Sequence, residues 1–253
     1  MAQELNGKTA LVTGATGGLG RAICARLAQA GASVIAADLP QAPIAALVAT
    51  LGAGSRALHL DVTREEQWQA AFQTCEEDGQ KVDILVNNAG IFTPNIPFAD
   101  MPFDVWKKHF AVNADGTFLG CREAIRHMRG RGGAIVNIAS SMGLVALAEA
   151  GAYCASKAAV LMTTRVAARS GGPDGIRVNA VLPGAVPTDM LMGNLQAGQQ
   201  ESDLLGTLAS YAAMGRLARP EDIAEAVLML AGPGAAAISG VALPVDCGTI
   251  PGG

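Results

Sequence analysis

The sequence predicts a single α/β domain over residues 1–253: a doubly wound parallel sheet of about seven strands with helices on both faces. Three observations predict it. Short apolar runs alternate with longer stretches of helical periodicity. Several of these runs end in a glycine turn or an aspartate. The chain is 50% apolar but only 4% aromatic, its apolar mass being mostly Ala, Val, Leu and Ile, which suits strands buried on both faces.

The elements follow in order. Thr9–Val12 reads as the first strand and runs into a glycine-rich turn. Arg21–Ala30 carries Ile23, Leu27 and Ala30 at helical spacing and stops at Gly31. Ser33–Ala37 is the second strand and ends at Asp38. A helix over Pro43–Leu51 stops at Gly52, and the third strand, Ala57–Leu60, ends at Asp61. Thr63 and Glu66 form a capping-box pattern that opens the next helix. Val82–Val86, Ala134–Ile138, Ile176–Val181 and Val241–Val245 complete the strands. Residues 91–104 and 184–206 are the least regular and follow strand carboxyl ends, where open α/β sheets bind ligands. There is no repeat or linker, so one domain is the simplest division.

Composition narrows the function. Lys and Arg number 18 against 22 Asp and Glu, a net charge of −4 without a long basic run, which argues against nucleic-acid partners. No apolar run reaches the roughly 18 residues of a membrane span, and Met1–Asn6 lacks the pattern of a signal peptide. Five scattered cysteines (Cys24, Cys75, Cys121, Cys154, Cys247) form no Cys-x-x-Cys pair and read as reduced thiols in a cytoplasmic protein. Three isolated histidines, His59, His109 and His127, offer no metal-ligand spacing. No metal site is expected.

Thr13-Gly14-Ala15-Thr16-Gly17-Gly18-Leu19-Gly20 joins the first strand to the first helix. Glycines let the backbone turn sharply and approach a pyrophosphate, and the helix N-terminus offers free N–H groups. The spacing is Gly-x-x-x-Gly-x-Gly, and its competing reading is an ordinary strand–helix turn. Asp38, at the end of the second strand, is placed to accept hydrogen bonds from adenosine ribose hydroxyls and to repel a 2′-phosphate. Neither Thr16 nor Leu39 supplies a cation there, so NAD(H) is expected over NADP(H). Arg21, the nearest cation, is expected to face solvent.

Tyr153 and Lys157 stand at i and i+4, on one face of a helix. That pair alone is common by chance, but here it follows a buried strand, Ile135–Ile138, and the serines Ser140 and Ser141. With these residues in order, the chain resembles the short-chain dehydrogenase/reductase family in its roughly 250-residue oxidoreductase form. The resemblance covers nearly the whole chain: Thr13–Gly20, Asp38, Asp61-Val62, Asn87-Asn88-Ala89-Gly90, Asn113, Ser140, Tyr153, Lys157, Arg177-Val178-Asn179, Pro183–Thr188, Gly240 and Val245–Gly248.

The resemblance implies a Rossmann-type fold and the following roles. Tyr153 is the general acid/base, Ser140 orients the reacting oxygen, and Lys157 holds the nicotinamide ribose and lowers the Tyr153 pKa. Asn113 maintains a water-linked proton relay. Gly14, Thr16, Gly18, Leu19, Gly20, Asp38 and Leu39 form the phosphate and ribose end, with Asp61 and Val62 on the adenine. Asn87, Ala89 and Gly90 line the adenosine side, with Asn88 among the contacts. Pro183, Gly184, Val186 and Thr188 surround the nicotinamide. A free phenol with a pKa near 10 is a poor base at neutral pH. A cation about 4 Å away, at an effective dielectric near 20, supplies on the order of 4 kcal/mol, about a thousandfold in acidity. Lys157 together with a positive nicotinamide is therefore expected to bring Tyr153 towards about 7. Cys247 departs from the pattern, standing where the family often has glycine. Cys154 is expected to be structural, Tyr211 to serve lid or interface packing, and Thr13 to brace the glycine turn.

The reaction implied is oxidation of a secondary alcohol, or reduction of the ketone, by a small-molecule dehydrogenase. A lid is expected over 185–213, with Met190–Leu195 mobile and apolar, and Ile91, Phe92, Met142, Leu144, Val145 and Leu147 adding to a hydrophobic pocket. Alternatives are a sugar/polyol or 3-hydroxyacyl dehydrogenase of the same family, or a non-catalytic NAD-binding regulator. Enoyl reductases place tyrosine and lysine further apart than four residues. The resemblance also implies a homotetramer, or a homodimer, with helices around 102–130 and 151–171 at one interface.

Overall fold

The computed structural model describes residues 4–250 apart from 194, 196, 197 and 199. Its strands are β1 (Thr9–Thr13), β2 (Ser33–Asp38), β3 (Arg56–His59), β4 (Ile84–Asn87), β5 (Gly133–Ile138), β6 (Ile176–Pro183) and β7 (Ala242–Val245). They form one parallel sheet in the order β3-β2-β1-β4-β5-β6-β7. The helices are α1 (Gly18–Gln29), α2 (Ile44–Val48), α3 (Glu65–Glu77), α4 (Phe103–His109), α5 (Gly116–Met128), α6 (Gly151–Gly171), α7 (Asp189–Met192), α8 (Glu201–Ser210) and α9 (Pro220–Ala231). The expected seven-stranded, doubly wound fold is the observed one.

Period-two alternation divides the core. Ala10 and Val12, Val34 and Ala36, Ile84 and Val86, and Val136 face one side, where they pack on Ile23 and Leu27 of α1 and Ile223 and Val227 of α9. Leu11, Ile35, Leu85 and Ile135 face the other, against Trp68 and Phe72 of α3 and Ala124 and Met128 of α5. Strand order reverses between β1 and β4, so the crevice at their carboxyl ends is where this topology places a ligand.

Three local expectations change. α1 begins at Gly18, so the last glycines of the loop are already its first turn. α2 is short because Thr50 and Leu51 take i−3 bonds to Leu47 and Val48 instead of extending it. The Thr63–Glu66 capping box does not form. The Asp61 carboxylate captures both the Thr63 N–H (3.0 Å) and its hydroxyl (2.7 Å), and α3 starts two residues later. Between α4 and α5 the helix is continuous but widens into a π-helical turn, Phe110–Asp115. Such turns often mark functional sites, and this one carries Asn113.

Candidate active site

The glycine loop is built for close approach. Gly14 has φ of +59°, and a Cβ on it would lie 2.8 Å from the Ala89 Cα. A Cβ on Gly20 would lie 2.2 Å from the Gly14 carbonyl oxygen, so only glycine lets α1 press this tightly on the loop. Thr13 braces the turn as expected: its hydroxyl accepts the N–H groups of Asn88 (3.0 Å) and Ala89 (3.1 Å). Asn88 Nδ2 returns bonds to the carbonyls of Thr13 (2.9 Å) and Gly14 (3.0 Å). This cradle of glycines and free helical N–H groups fits a dinucleotide pyrophosphate.

Asp38 stands at the edge of the cradle. One oxygen accepts the Thr16 N–H (2.9 Å) and hydroxyl (2.7 Å), and the other accepts the Leu39 N–H (2.8 Å). Arg21 is exposed, as expected, but it is not idle: its Nε donates to the Thr16 carbonyl at 2.6 Å.

A cavity of about 610 Å³ runs from this cradle to Ser140, Tyr153 and Lys157. Gly14, Thr16, Gly18, Leu19, Gly20, Asp38, Asn88, Ala89, Gly90, Ser140, Tyr153, Lys157, Pro183, Gly184, Val186 and Thr188 all line it. Leu39, Asp61, Val62 and Asn113 do not. Leu39 is exposed beside Asp38, and Asp61 is bound to Thr63. Val62 is buried against Gly116, and its carbonyl takes the Trp68 indole N–H at 3.0 Å. Asn87 is also turned away. As the last residue of β4 it points into the core, where its Nδ2 donates to Asn137 Oδ1 at 2.8 Å.

Tyr153 and Lys157 occupy the first turns of α6. Ser140 follows β5; its Oγ accepts the Met142 N–H at 3.1 Å and hydrogen-bonds the Tyr153 side chain. Phe92 packs edge-on against the Tyr153 ring at 4.7 Å. Lys157 is 4% exposed, and its Nζ donates to the Ile138 carbonyl at 2.8 Å. The Nζ lies 5.7 Å from the Tyr153 ring centre.

Asn113 stands one layer behind these groups. Its Oδ1 accepts the Ile91 N–H (2.8 Å), and its Nδ2 donates to the Ile91 carbonyl (3.1 Å) and to Ser156 Oγ (3.0 Å). A Cβ on Gly90 would fall 3.3 Å from Asn113 Oδ1 and 3.4 Å from Lys157 Nζ, so the absence of a side chain there leaves the amide and the ammonium flanking one gap. The Asn113 side chain fixes the Ile91 backbone.

Burial dominates the electrostatics of the chain's own groups. Burial pushes the Tyr153 phenol above its ordinary value, with the Ser140 hydrogen bond opposing in part. Burial pulls Lys157 down to about 8. The lysine alone therefore does not lower the tyrosine: both groups share a desolvated pocket, and each is disfavoured in its charged form.

The apolar lobe is partly as expected. Phe92, Met142, Leu147, Met190 and Leu191 line the cavity, whereas Ile91, Met192 and Leu195 do not. Leu144 and Val145 are 52% and 45% exposed, because the chain leaves the crevice in a short 3₁₀ turn after Ser140. Asn194 lies outside the described residues. Pro94, Asn95, Leu204 and Leu208 line the cavity without having been singled out in the sequence. The i, i+4 spacing of Leu204 and Leu208 was the available signal. Tyr211 is 66% exposed and lies outside the cavity. The five cysteines are free, and burial holds Cys24 and Cys121 at about 12, as inert thiols. Among the described residues no His/Cys/Asp/Glu group could hold a metal, and no helix is long and apolar enough to cross a membrane.

Comparison with known proteins agrees with this geometry. A family model described as enoyl-(acyl carrier protein) reductase matches residues 14–249. The chain is 37% identical to cis-4-hydroxycyclohexanecarboxylate dehydrogenase of Sinomonas cyclohexanicum, covering 98% of both chains. It is 39% identical to cyclopentanol dehydrogenase of a Comamonas species, covering 97% of this chain and 98% of that one. A crystal structure provisionally named a gluconate dehydrogenase, from Agrobacterium tumefaciens, superposes with a TM-score of 0.91 at 32% identity, over 98% of each chain. With the glycine cradle, the Ser140–Tyr153–Lys157 set and full-length relatives in hand, the chain belongs to the short-chain dehydrogenase/reductase family of NAD(P)(H)-using oxidoreductases.

Proposed function

We propose that this protein is an NAD-dependent dehydrogenase interconverting a hydrophobic secondary alcohol, preferably a ring alcohol, with its ketone. The observation that carries this reading is the opening of the Ser140–Tyr153–Lys157 set onto one cavity whose two ends differ. One end is the glycine cradle with Asp38, and the other is an apolar lobe. The name of the similar cyclopentanol dehydrogenase supports the same substrate class.

When bound, the nicotinamide cofactor accepts or gives the hydride. The remaining work falls to the chain's own residues. Ser140 Oγ and Tyr153 Oη together hold the substrate oxygen, and Tyr153 takes its proton in oxidation or returns it in reduction. Lys157 Nζ is placed to bind the nicotinamide ribose and to stabilise the phenolate. Phe92, Met142, Leu147 and the α7–α8 lid exclude water around the reacting carbon. The fixed Asp38 carboxylate accepts from ribose hydroxyls and repels a 2′-phosphate, which favours NAD(H).

A sugar or polyol substrate fits the lobe less well, because several of its walls are Met, Leu and Phe side chains that satisfy no hydroxyl. A purely regulatory NAD-binding role would not need a half-buried phenol beside a buried lysine. We place the protein in a reducing, cytoplasmic setting on the strength of its free cysteines. We read it as a homotetramer on the strength of Phe103, Phe118, Met162 and Val166, which leave apolar surface exposed on α4, α5 and α6.

The test is an NADH-absorbance assay with cyclopentanol and cyclohexanol. Turnover with NAD⁺ that disappears in Tyr153→Phe, while NADH still binds that variant, is the expected result. Wild-type rates in Tyr153→Phe would remove the proposed base.

A further inference from the structure

We infer that this site selects uncharged ring alcohols and turns away ring alcohols that carry a carboxylate. The inference rests on the dehydrogenase reading above and narrows its substrate class. Apart from the glycine loop, Asp38 and Ile138, every described residue lining the cavity comes from three segments, 87–104, 139–157 and 183–214. Of the described residues lining the cavity, one is basic, Lys157, and two are acidic, Asp38 and Asp189. Asn194, Gln196, Ala197 and Gln199, which lie outside the described residues, are neutral by sequence.

Lys157 is not available to a distant carboxylate. It is buried, donates to the Ile138 carbonyl at 2.8 Å, and lies beneath Gly90 at the proton-transfer end. Opposite it, the lobe is walled by Phe92, Met142, Leu147, Met190, Leu204 and Leu208, with Asp189 also in the lining. A carboxylate borne across a ring from the reacting carbinol would leave water for an apolar wall without a cation, and would meet the negative charge of Asp189. Burying an unpaired charge is far more costly than burying a neutral amide of the same shape. A neutral ring in the same place gains the apolar contact of these side chains without burying a charge. Charge at the far end of the substrate is therefore the discriminating property, ahead of ring size.

The test compares 4-hydroxycyclohexanecarboxamide with 4-hydroxycyclohexanecarboxylate, which share ring, carbinol and shape and differ in charge. With saturating NAD⁺ the expected kcat/KM ratio is about a hundredfold in favour of the carboxamide. A ratio under about tenfold overturns the inference. Calorimetric binding of 4-oxocyclohexanecarboxamide and 4-oxocyclohexanecarboxylate to the enzyme–NADH complex reads the same preference without turnover. Selective binding of the amide in an enzyme that oxidises no ring alcohol would support the charge selection while sinking the dehydrogenase reading. Failure of the neutral ketone to bind would overturn the charge selection itself.

Discussion

Asn113 Nδ2 donates to Ser156 Oγ at 3.0 Å, and the same hydroxyl donates to the Tyr153 carbonyl at 2.8 Å. Both side chains are fully buried, so one serine ties the π-helical turn to the first turns of the catalytic helix. Ser156→Ala would leave a buried amide proton unpaired, at a cost of about 1–3 kcal/mol. The expected result is a kcat lower by about tenfold, with the NAD⁺ KM held within about twofold. Ser156→Thr, which keeps the hydroxyl, should recover most of the rate. An Ala variant that loses thermal stability but keeps kcat would show that the bond is structural only.

The pH dependence follows from burial. Tyr153 is pushed above its ordinary value, so the phenol remains the proton donor throughout the neutral range. Ketone reduction should therefore be flat from about pH 6 to 8 and fall on the alkaline side. Alcohol oxidation needs the phenolate and should rise over the same range. Lys157, held down to about 8 in the free protein, loses its charge above that pH unless the bound cofactor retains it. Initial rates in both directions measure this. Oxidation that does not change with pH would be incompatible with Tyr153 as the base.

Cofactor choice should turn on Asp38. Its carboxylate is immobilised by Thr16 and Leu39, and Arg21 is anchored nearby on the Thr16 carbonyl. Asp38→Ala removes the repulsion and leaves Arg21 as the nearest cation. The NAD⁺/NADP⁺ ratio of kcat/KM should fall by about tenfold or more. A wild-type enzyme that prefers NADP⁺ would refute this reading of Asp38.

Cys247 carries a φ of +55°, in the left-handed region that non-glycine residues rarely occupy. Cys247→Gly should relieve backbone strain while increasing the freedom of the unfolded chain. The net effect expected is a stabilisation of between zero and about 1 kcal/mol, read by chemical denaturation. A loss above about 1 kcal/mol would mean that the thiol packs more usefully than its backbone suggests.

Much was legible in the sequence because periodicity and glycine spacing are local. The alternation of Leu11 and Val12, or of Ile135 and Val136, announces a strand buried on two faces, and Gly14 and Gly20 announce a close approach. Ser140, Tyr153 and Lys157 were legible as candidates because their order and spacing along the chain match the family's pattern, and all three line the cavity. Tertiary structure decided the rest. It turned Asn87 into the core while leaving Asn88 in the crevice, which strand-end geometry sets and adjacent identical residues cannot reveal. It left Asn113 out of the cavity lining, brought Leu204 and Leu208 from a separate helix onto the cavity wall, and let Asp61 outcompete Glu66 for Thr63. It also set Tyr153 and Lys157 in one desolvated pocket, which disfavours the charged form of each. Sequence determines which groups are present and how they repeat; only the packed chain sets their neighbours and dielectric surroundings, and acidity and specificity depend on both.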